Sequence, residues 1–151
     1  RSTHSRLTTC NSKCVPGAPV RQDGYVVRVE VAGDGLFMPG SAYLQNNAEQ
    51  LVHSVAAELR RNFPENIIGI EGHTDNRATH SQQHPTNHHL SVAQALAVYN
   101  ALVQRATVPA QQLFVIGHGS NHPVVSNATD SGQQRNRRIE MVVYPERVAG
   151  R

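Results

Sequence analysis

Apolar and polar residues alternate along Tyr25-Val26-Val27-Arg28-Val29-Glu30-Val31. Tyr25, Val27, Val29 and Val31 fall on one side and Arg28 and Glu30 on the other, the period-two pattern of a half-buried strand. Ala32-Gly33-Asp34-Gly35 ends it, and Leu36-Phe37-Met38-Pro39-Gly40-Ser41 reads as an apolar loop with a turn. From Ala42 to Asn62 the period changes: Leu44, Ala48, Leu51, Val52, Val55 and Leu59 recur at helical spacing. Arg60 and Arg61 suit the negative end of that helix's dipole. Phe63-Pro64-Glu65-Asn66 turns the chain into a short buried strand at Ile67 to Glu71. A polar turn follows, with His73, Thr74, Asp75 and Asn76 in a row at the strand's C-terminal end. Polar side chains on a loop held by a rigid strand are where binding chemistry tends to sit. The plainer alternative is a turn in which Asp75 and Asn76 bond only to nearby backbone.

Asn76 to Thr86 shows no apolar face. A second helix is predicted from Asn87 to Arg105, burying Val92, Leu96, Tyr99 and Val103. Pro109 starts a turn, and Leu113 to Gly117 makes a third strand. Gly119 to Gln134 reads as a long polar loop of the kind that usually has a task. Arg138 to Tyr144 is the last strand, with Ile139, Met141 and Val143 inward, and Pro145 stops it. The order β-α-β-α-β-β predicts an α/β (α+β) two-layer sandwich, its sheet mixed because the first connections are crossovers, with helices covering one face. Residues 1–24, rich in Ser, Thr, Asn, Pro and Gly, read as a linker or arm. Residues 25–145 form the folded domain and 146–151 a tail.

Composition narrows the class. The chain has 151 residues, 38% hydrophobic and 17% charged, which suits one soluble globular domain rather than a disordered chain. No apolar run is long enough to span a membrane. With no initiator methionine and no apolar leader, the chain reads as a mature product or a fragment of something longer. The formal charge of +3 is that of an ordinary solvated surface. There is no Trp and no basic run longer than Arg137-Arg138, which argues against a nucleic-acid partner. Cys10 and Cys14 leave a small disulfide and two free thiols equally open, and a zinc site would need more ligands than this pair. No nucleophile elbow or paired acid is present, so neither an enzyme nor a cofactor is expected. His80, His84, His88 and His89 follow the polar turn. Their spacing would let imidazoles stack on a helix and hold Zn²⁺, Ni²⁺ or Cu²⁺. Pro85 interrupts such a helix, and a solvated loop is the plainer reading.

Five motifs appear in order: Leu36-Phe37-Met38-Pro39-Gly40-Ser41-Ala42, Gly72-His73-Thr74-Asp75-Asn76, Asn87-His88-His89-Leu90-Ser91, Gly117-His118-Gly119 and Asn136-Arg137-Arg138-Ile139-Glu140. Together they resemble the OmpA/MotB C-terminal domain family, whose members bind peptidoglycan in the bacterial envelope. The resemblance covers Tyr25 to Pro145 and is nearer to MotB-like members than to the porin. It implies a non-catalytic, periplasmic module of a membrane-anchored envelope protein, holding the diaminopimelate of the stem peptide, with a homodimer left open. By that resemblance the site comprises Thr74, Asp75, Asn76, Asn87, Gln94, Asn136 and Arg138. Asp75 would take the ligand's ammonium by a charge-assisted hydrogen bond. Asn87 would bond the same group of atoms, and Arg138 with Asn136 matches the Asn-Arg-Arg element lining the site. The family pattern Leu-Ser-x-x-Arg-Ala reads Leu90-Ser91-Val92-Ala93-Gln94-Ala95 here. Gln94 therefore replaces the arginine that would grip the carboxylate, and Arg77 and Arg135 are the candidate substitutes. Gln133 replaces a second family arginine, and the stretch from Asp75 to Ser91 is longer than usual. Two further readings stand beside the wall tether: an interaction domain with a degenerate pocket, and a metal-binding module built on the histidine loop.

Overall fold

The computed structural model describes the backbone of Arg6–Leu7 and residues 18–79 and 81–149. Two short strands come first, β1 (Arg6–Leu7) and β2 (Val20–Asp23), then β3 (Val26–Ala32) and a single helical turn, α1 (Gly33–Leu36). Helix α2 (Ala48–Asn62), strand β4 (Asn66–His73), helix α3 (Asn87–Arg105) and strand β5 (Leu113–Gly117) follow. Helix α4 (Asp130–Asn136) and strand β6 (Arg138–Arg147) close the chain. The strands form one sheet in the order β1-β2-β3-β6-β4-β5. Every neighbouring pair is antiparallel except β4 and β5, which are parallel, so that α3 serves as their crossover. Val29 and Val31 of β3, Ile68 and Ile70 of β4, and Ile139, Met141 and Val143 of β6 face α2 and α3 in one apolar core. The predicted two-layer architecture with a mixed sheet is the observed one.

Helix α3 lies unusually close to the sheet at its N-terminal end. A Cβ on Gly72 would land on the backbone carbonyl of Ser91, and one on Gly117 would strike the backbone of Val92. Gly72 and Gly117 are register partners on β4 and β5, so the two bare positions sit side by side under the helix. This close approach explains a reversal. The helix buries Leu90, Ala95, Val98, Ala101 and Leu102, while Val92 and Leu96, expected in the core, are 45% and 47% exposed. The close approach at Ser91 and Val92 fixes the rotation of the helix, which turns Val92 and Leu96 outward.

Other departures have local causes. Helix α2 begins at Ala48 rather than Ala42, because Leu44 is bridged to Phe37 and Gln45 Nε2 donates to the carbonyls of Asp34 and Phe37. Tyr25 precedes β3 and is exposed, so the inward face starts at Val27. The stretch expected as an arm contributes β1 and β2 to the sheet, β2 pairing along β3 from Val20↔Val29 to Asp23↔Val26. Pro145 lies within β6, past the end of its pairing with β3 and beside the register shift opposite Asn66 and Ile68, where its missing N–H breaks no ladder bond. The polar loop after β5 ends in α4, whose cap is Thr129 accepting from the Gly132 N–H. Cys10 and Cys14 lie outside the described residues.

Candidate functional site

Strand β4 carries its hydrogen bonding two residues past its partner's end. The His118 N–H donates to the Gly72 carbonyl and the Thr74 N–H to the Gly119 carbonyl. The Ser91 hydroxyl accepts from the Gly119 N–H at 2.9 Å and fastens the same corner to α3. Asp75 is therefore delivered on a rigid mount to a cleft of about 500 Å³, walled by Asp34, Phe37 and Met38 on one side and by Arg77, Asn87 and Gln94 on the other.

Asp75 is 6% exposed, and each of its oxygens has a partner. Oδ1 accepts the Arg77 N–H at 2.8 Å, and Oδ2 accepts from the Arg137 guanidinium at 2.7 Å. The rest of the Arg137 fork, Nε and a terminal nitrogen, donates to both oxygens of Asp34 at 3.0 Å. One arginine thus spans two carboxylates. Its pKa is raised by the hydrogen bonds to Asp34 and Asp75, which outweigh partial burial. Arg77 reaches outward to Asp130 at 3.1 Å, an exposed pair.

Thr74, Asp75, Asn87 and Gln94 line this cleft, and three other residues of the expected set do not. Thr74 Oγ1 donates to the Asp75 carbonyl. Asn87 accepts from the Thr79 hydroxyl and donates to the Arg77 carbonyl, so it ties down the loop after Asp75. Gln94 Nε2 donates to the Ser41 carbonyl at 2.9 Å. Asn76 is exposed and its side chain meets Gln133. Asn136 is fully buried and its side chain bonds to the 124–127 segment. Arg138, expected at the cleft, donates instead to Glu140, the Asn136 carbonyl and the His122 carbonyl. The reason is positional. Arg138 is the first residue of β6 and faces away from the helices, whereas Arg137 precedes the strand and swings to the cleft. The cation at Asp75 is therefore Arg137, one residue from the one expected. Arg135 pairs with Glu30 and does not line the cleft.

The sheet face turned away from α2 and α3 holds a second polar group. Register places Glu30, Glu140 and Glu71 in a row across β3, β6 and β4. Adjacent like charges are unfavourable, and Arg28 offsets them by donating to Glu140 at 2.9 Å and Glu71 at 3.3 Å. Burial alone would raise the Glu140 pKa, but Arg138, with help from Arg28, brings it below the usual range. His73, His118 and His122 cluster beside this row. Burial, reinforced by Arg138, lowers the His73 pKa to about 3, so its ring is neutral. The histidines whose spacing made them candidate metal ligands do not assemble into a site among the described residues. His80 lies outside them, His88 meets the Asn121 amide, His89 meets its own helix cap Thr86, and His84 is bonded through its backbone.

Comparison with known proteins agrees with this fold. Motility protein B of Bacillus subtilis (strain 168) is 34% identical over 113 residues, 75% of this chain and 43% of that protein. The peptidoglycan-binding protein ArfA of Mycobacterium tuberculosis (strain H37Rv) is 35% identical over 94 residues, 62% of this chain and 27% of that protein. The chain thus spans less than half the length of these curated relatives. The cell wall anchor of the T6SS from Pseudomonas aeruginosa superposes with a TM-score of 0.77 at 30% identity, covering 87% of this chain and 90% of that one. The family model described as OmpA family matches residues 36–137, from the start of the apolar loop to the cleft arginine, and the chain belongs to that family.

Proposed function

We propose that the chain is a non-catalytic peptidoglycan-binding module that anchors an envelope protein to the cell wall from the periplasm. The observation that carries the proposal is the buried Asp75 carboxylate at an open cleft with Arg137 bonded to it at 2.7 Å. A stem-peptide diaminopimelate offers an ammonium and a carboxylate on one carbon, and its recognition needs an anion and a cation side by side. In this reading Asp75, seconded by Asp34, receives the ammonium. Arg137, loosened from one carboxylate, or the adjacent Arg77 receives the ligand carboxylate. Arg137 thereby supplies from the β6 side the charge that Gln94 lacks on α3. A relative that is named for peptidoglycan binding and a neighbour that is a cell wall anchor support the reading.

One observation favours a second reading, an interaction domain with a degenerate pocket. The amides of Asn87 and Gln94 are spent on bonds within the chain, to Arg77, Thr79 and Ser41. A pull-down with purified peptidoglycan, beside titration with free diaminopimelate, separates the two. Binding by the wild type and a loss of roughly tenfold to a hundredfold in Asp75→Ala, from removal of a charge-assisted bond worth about 1.5–3 kcal/mol, is the expected result. Equal retention of both proteins would reject the assignment of the cleft. No retention of either would leave the degenerate pocket as the reading.

A further inference from the structure

We propose that Glu71, His73 and His118 form a binding site for a divalent transition metal of the zinc class, on the sheet face turned away from α2 and α3. The three side chains each offer one ligand atom, and these atoms lie within 4.8 Å of one another. Two imidazoles and a carboxylate are a donor set that zinc accepts, with bonds of about 2.0–2.2 Å. Tetrahedral ligand atoms then stand roughly 3.4 Å apart, so an ion would displace the proton between His118 Nε2 and Glu71 Oε1, part them from 2.5 Å, and draw His73 inward by side-chain rotation.

Four observations make this more than a chance grouping. His73 is 3% exposed and neither ring nitrogen has a hydrogen-bond partner among the described residues, its nearest carboxylate oxygen standing 4.0 Å away on Glu140. A buried polar group without a partner is rare and calls for a reason, and a neutral imidazole is the form that ligates metals. His118 Nε2 already meets Glu71 Oε1, so two of the ligand atoms converge. The other Glu71 oxygen is held by Arg28 at 3.3 Å, the kind of outer contact that orients a ligating carboxylate. Finally, the His122 ring stands edge-on with its centre 4.6 Å from that of His118, a further imidazole at the margin of the group.

The surrounding cations do not forbid the ion. Arg138 is committed to Glu140, and Arg28 is shared between Glu140 and Glu71. Arg21 pairs with Asp23 and Glu140, so three carboxylates stand against three guanidiniums around the site. The site shares His73 with the wall of the Asp75 cleft, two residues upstream of Asp75. It owes nothing to the peptidoglycan reading and stands or falls apart from it.

Calorimetric titration of the full chain with ZnCl₂ after chelator treatment tests the site. One equivalent should bind, with melting temperature rising as free zinc rises. His118→Ala truncates a partly exposed side chain, and Glu71→Gln keeps its residue's shape. Each should weaken zinc at least about tenfold while leaving the metal-free melting curve close to wild type. The triple variant His84→Ala, His88→Ala, His89→Ala should bind like wild type. Cobalt substituted for zinc should give the visible absorption of a tetrahedral site, lost in His118→Ala. Absence of saturable binding in the wild type, undiminished affinity in a well-folded His118→Ala or Glu71→Gln, or loss confined to the triple variant would each overturn the proposal.

Discussion

Replacing Arg137 with alanine removes the side chain that bridges Asp34 and Asp75, and its cost can be worked from the two limbs separately. The Asp75 limb is a 2.7 Å charge-assisted bond to a carboxylate that is 6% exposed. Such bonds are worth about 1.5–3 kcal/mol, and a buried partner left alone bears the full loss. The Asp34 limb is a forked pair, but the Asp34 side chain is 43% exposed, and solvent screening reduces it to at most about 1 kcal/mol. The sum is roughly 1.5–4 kcal/mol, dominated by Asp75. For a chain of this length each kcal/mol moves the melting temperature by about 2–4 °C, so Arg137→Ala should melt about 3–16 °C lower. Asp34→Ala, which spares the buried limb, should cost about 1 kcal/mol or less. Arg137→Lys keeps the charge but cannot fork between two carboxylates, and should fall between them. Urea unfolding of the four proteins in chelated buffer measures all of this. If Arg137→Ala lies within about 0.5 kcal/mol of wild type, or Asp34→Ala costs as much as Arg137→Ala, the buried limb does not carry the stability assigned to it.

Gly72→Ala should destabilise by at least about 1–3 kcal/mol, because the new methyl meets the Ser91 carbonyl and neither backbone can yield. Gly35→Ala, whose methyl would meet only Leu51 Cδ2 at 3.9 Å, is the control and should stay within about 0.5 kcal/mol in denaturant melts. Glu140 has its folded pKa below the ordinary 4.5, so its contribution is full at neutral pH and is lost as pH falls below that value. Glu140→Gln should therefore flatten the acid limb of unfolding free energy against pH in chelated buffer, and an unchanged limb would refute the ion-pair account. Gln94→Arg adds a second cation beside Arg137 rather than a first. Affinity for diaminopimelate fragments should rise less than about tenfold and the gain should vanish at high salt. A larger, salt-insensitive gain in the same titration would show that Arg137 does not serve the ligand.

Periodicity carried most of the architecture. The valines of β3, the isoleucines of β4 and the alternating apolar residues of β6 each encode a buried face locally, and the boundaries of α3 and β5 were legible to the residue. The Asp75 turn and the glycine beside it were equally legible, since a motif in contiguous residues survives any fold. The buried face of α3 was not, because spacing along the helix cannot show that the bare Gly72 and Gly117 draw its Ser91–Val92 turn onto the sheet and so set its rotation. Helix α4 escaped notice because seven polar residues have no apolar stripe and hold together through Thr129 and the fully buried Asn136. Nor could sequence choose between Arg137 and Arg138, adjacent and chemically identical, since only the point where β6 begins sends one to the cleft and the other to the opposite face. The same limit hid the histidine group: His73, His118 and His122 are scattered over fifty residues and meet because β4 and β5 are parallel neighbours with register partners Gly72 and Gly117. Local pattern determined which segments become strands and helices, for burial is decided by the spacing of apolar residues along one element. Which charges meet was settled by strand order and register, because charged groups pair through space with residues that the sequence holds far apart.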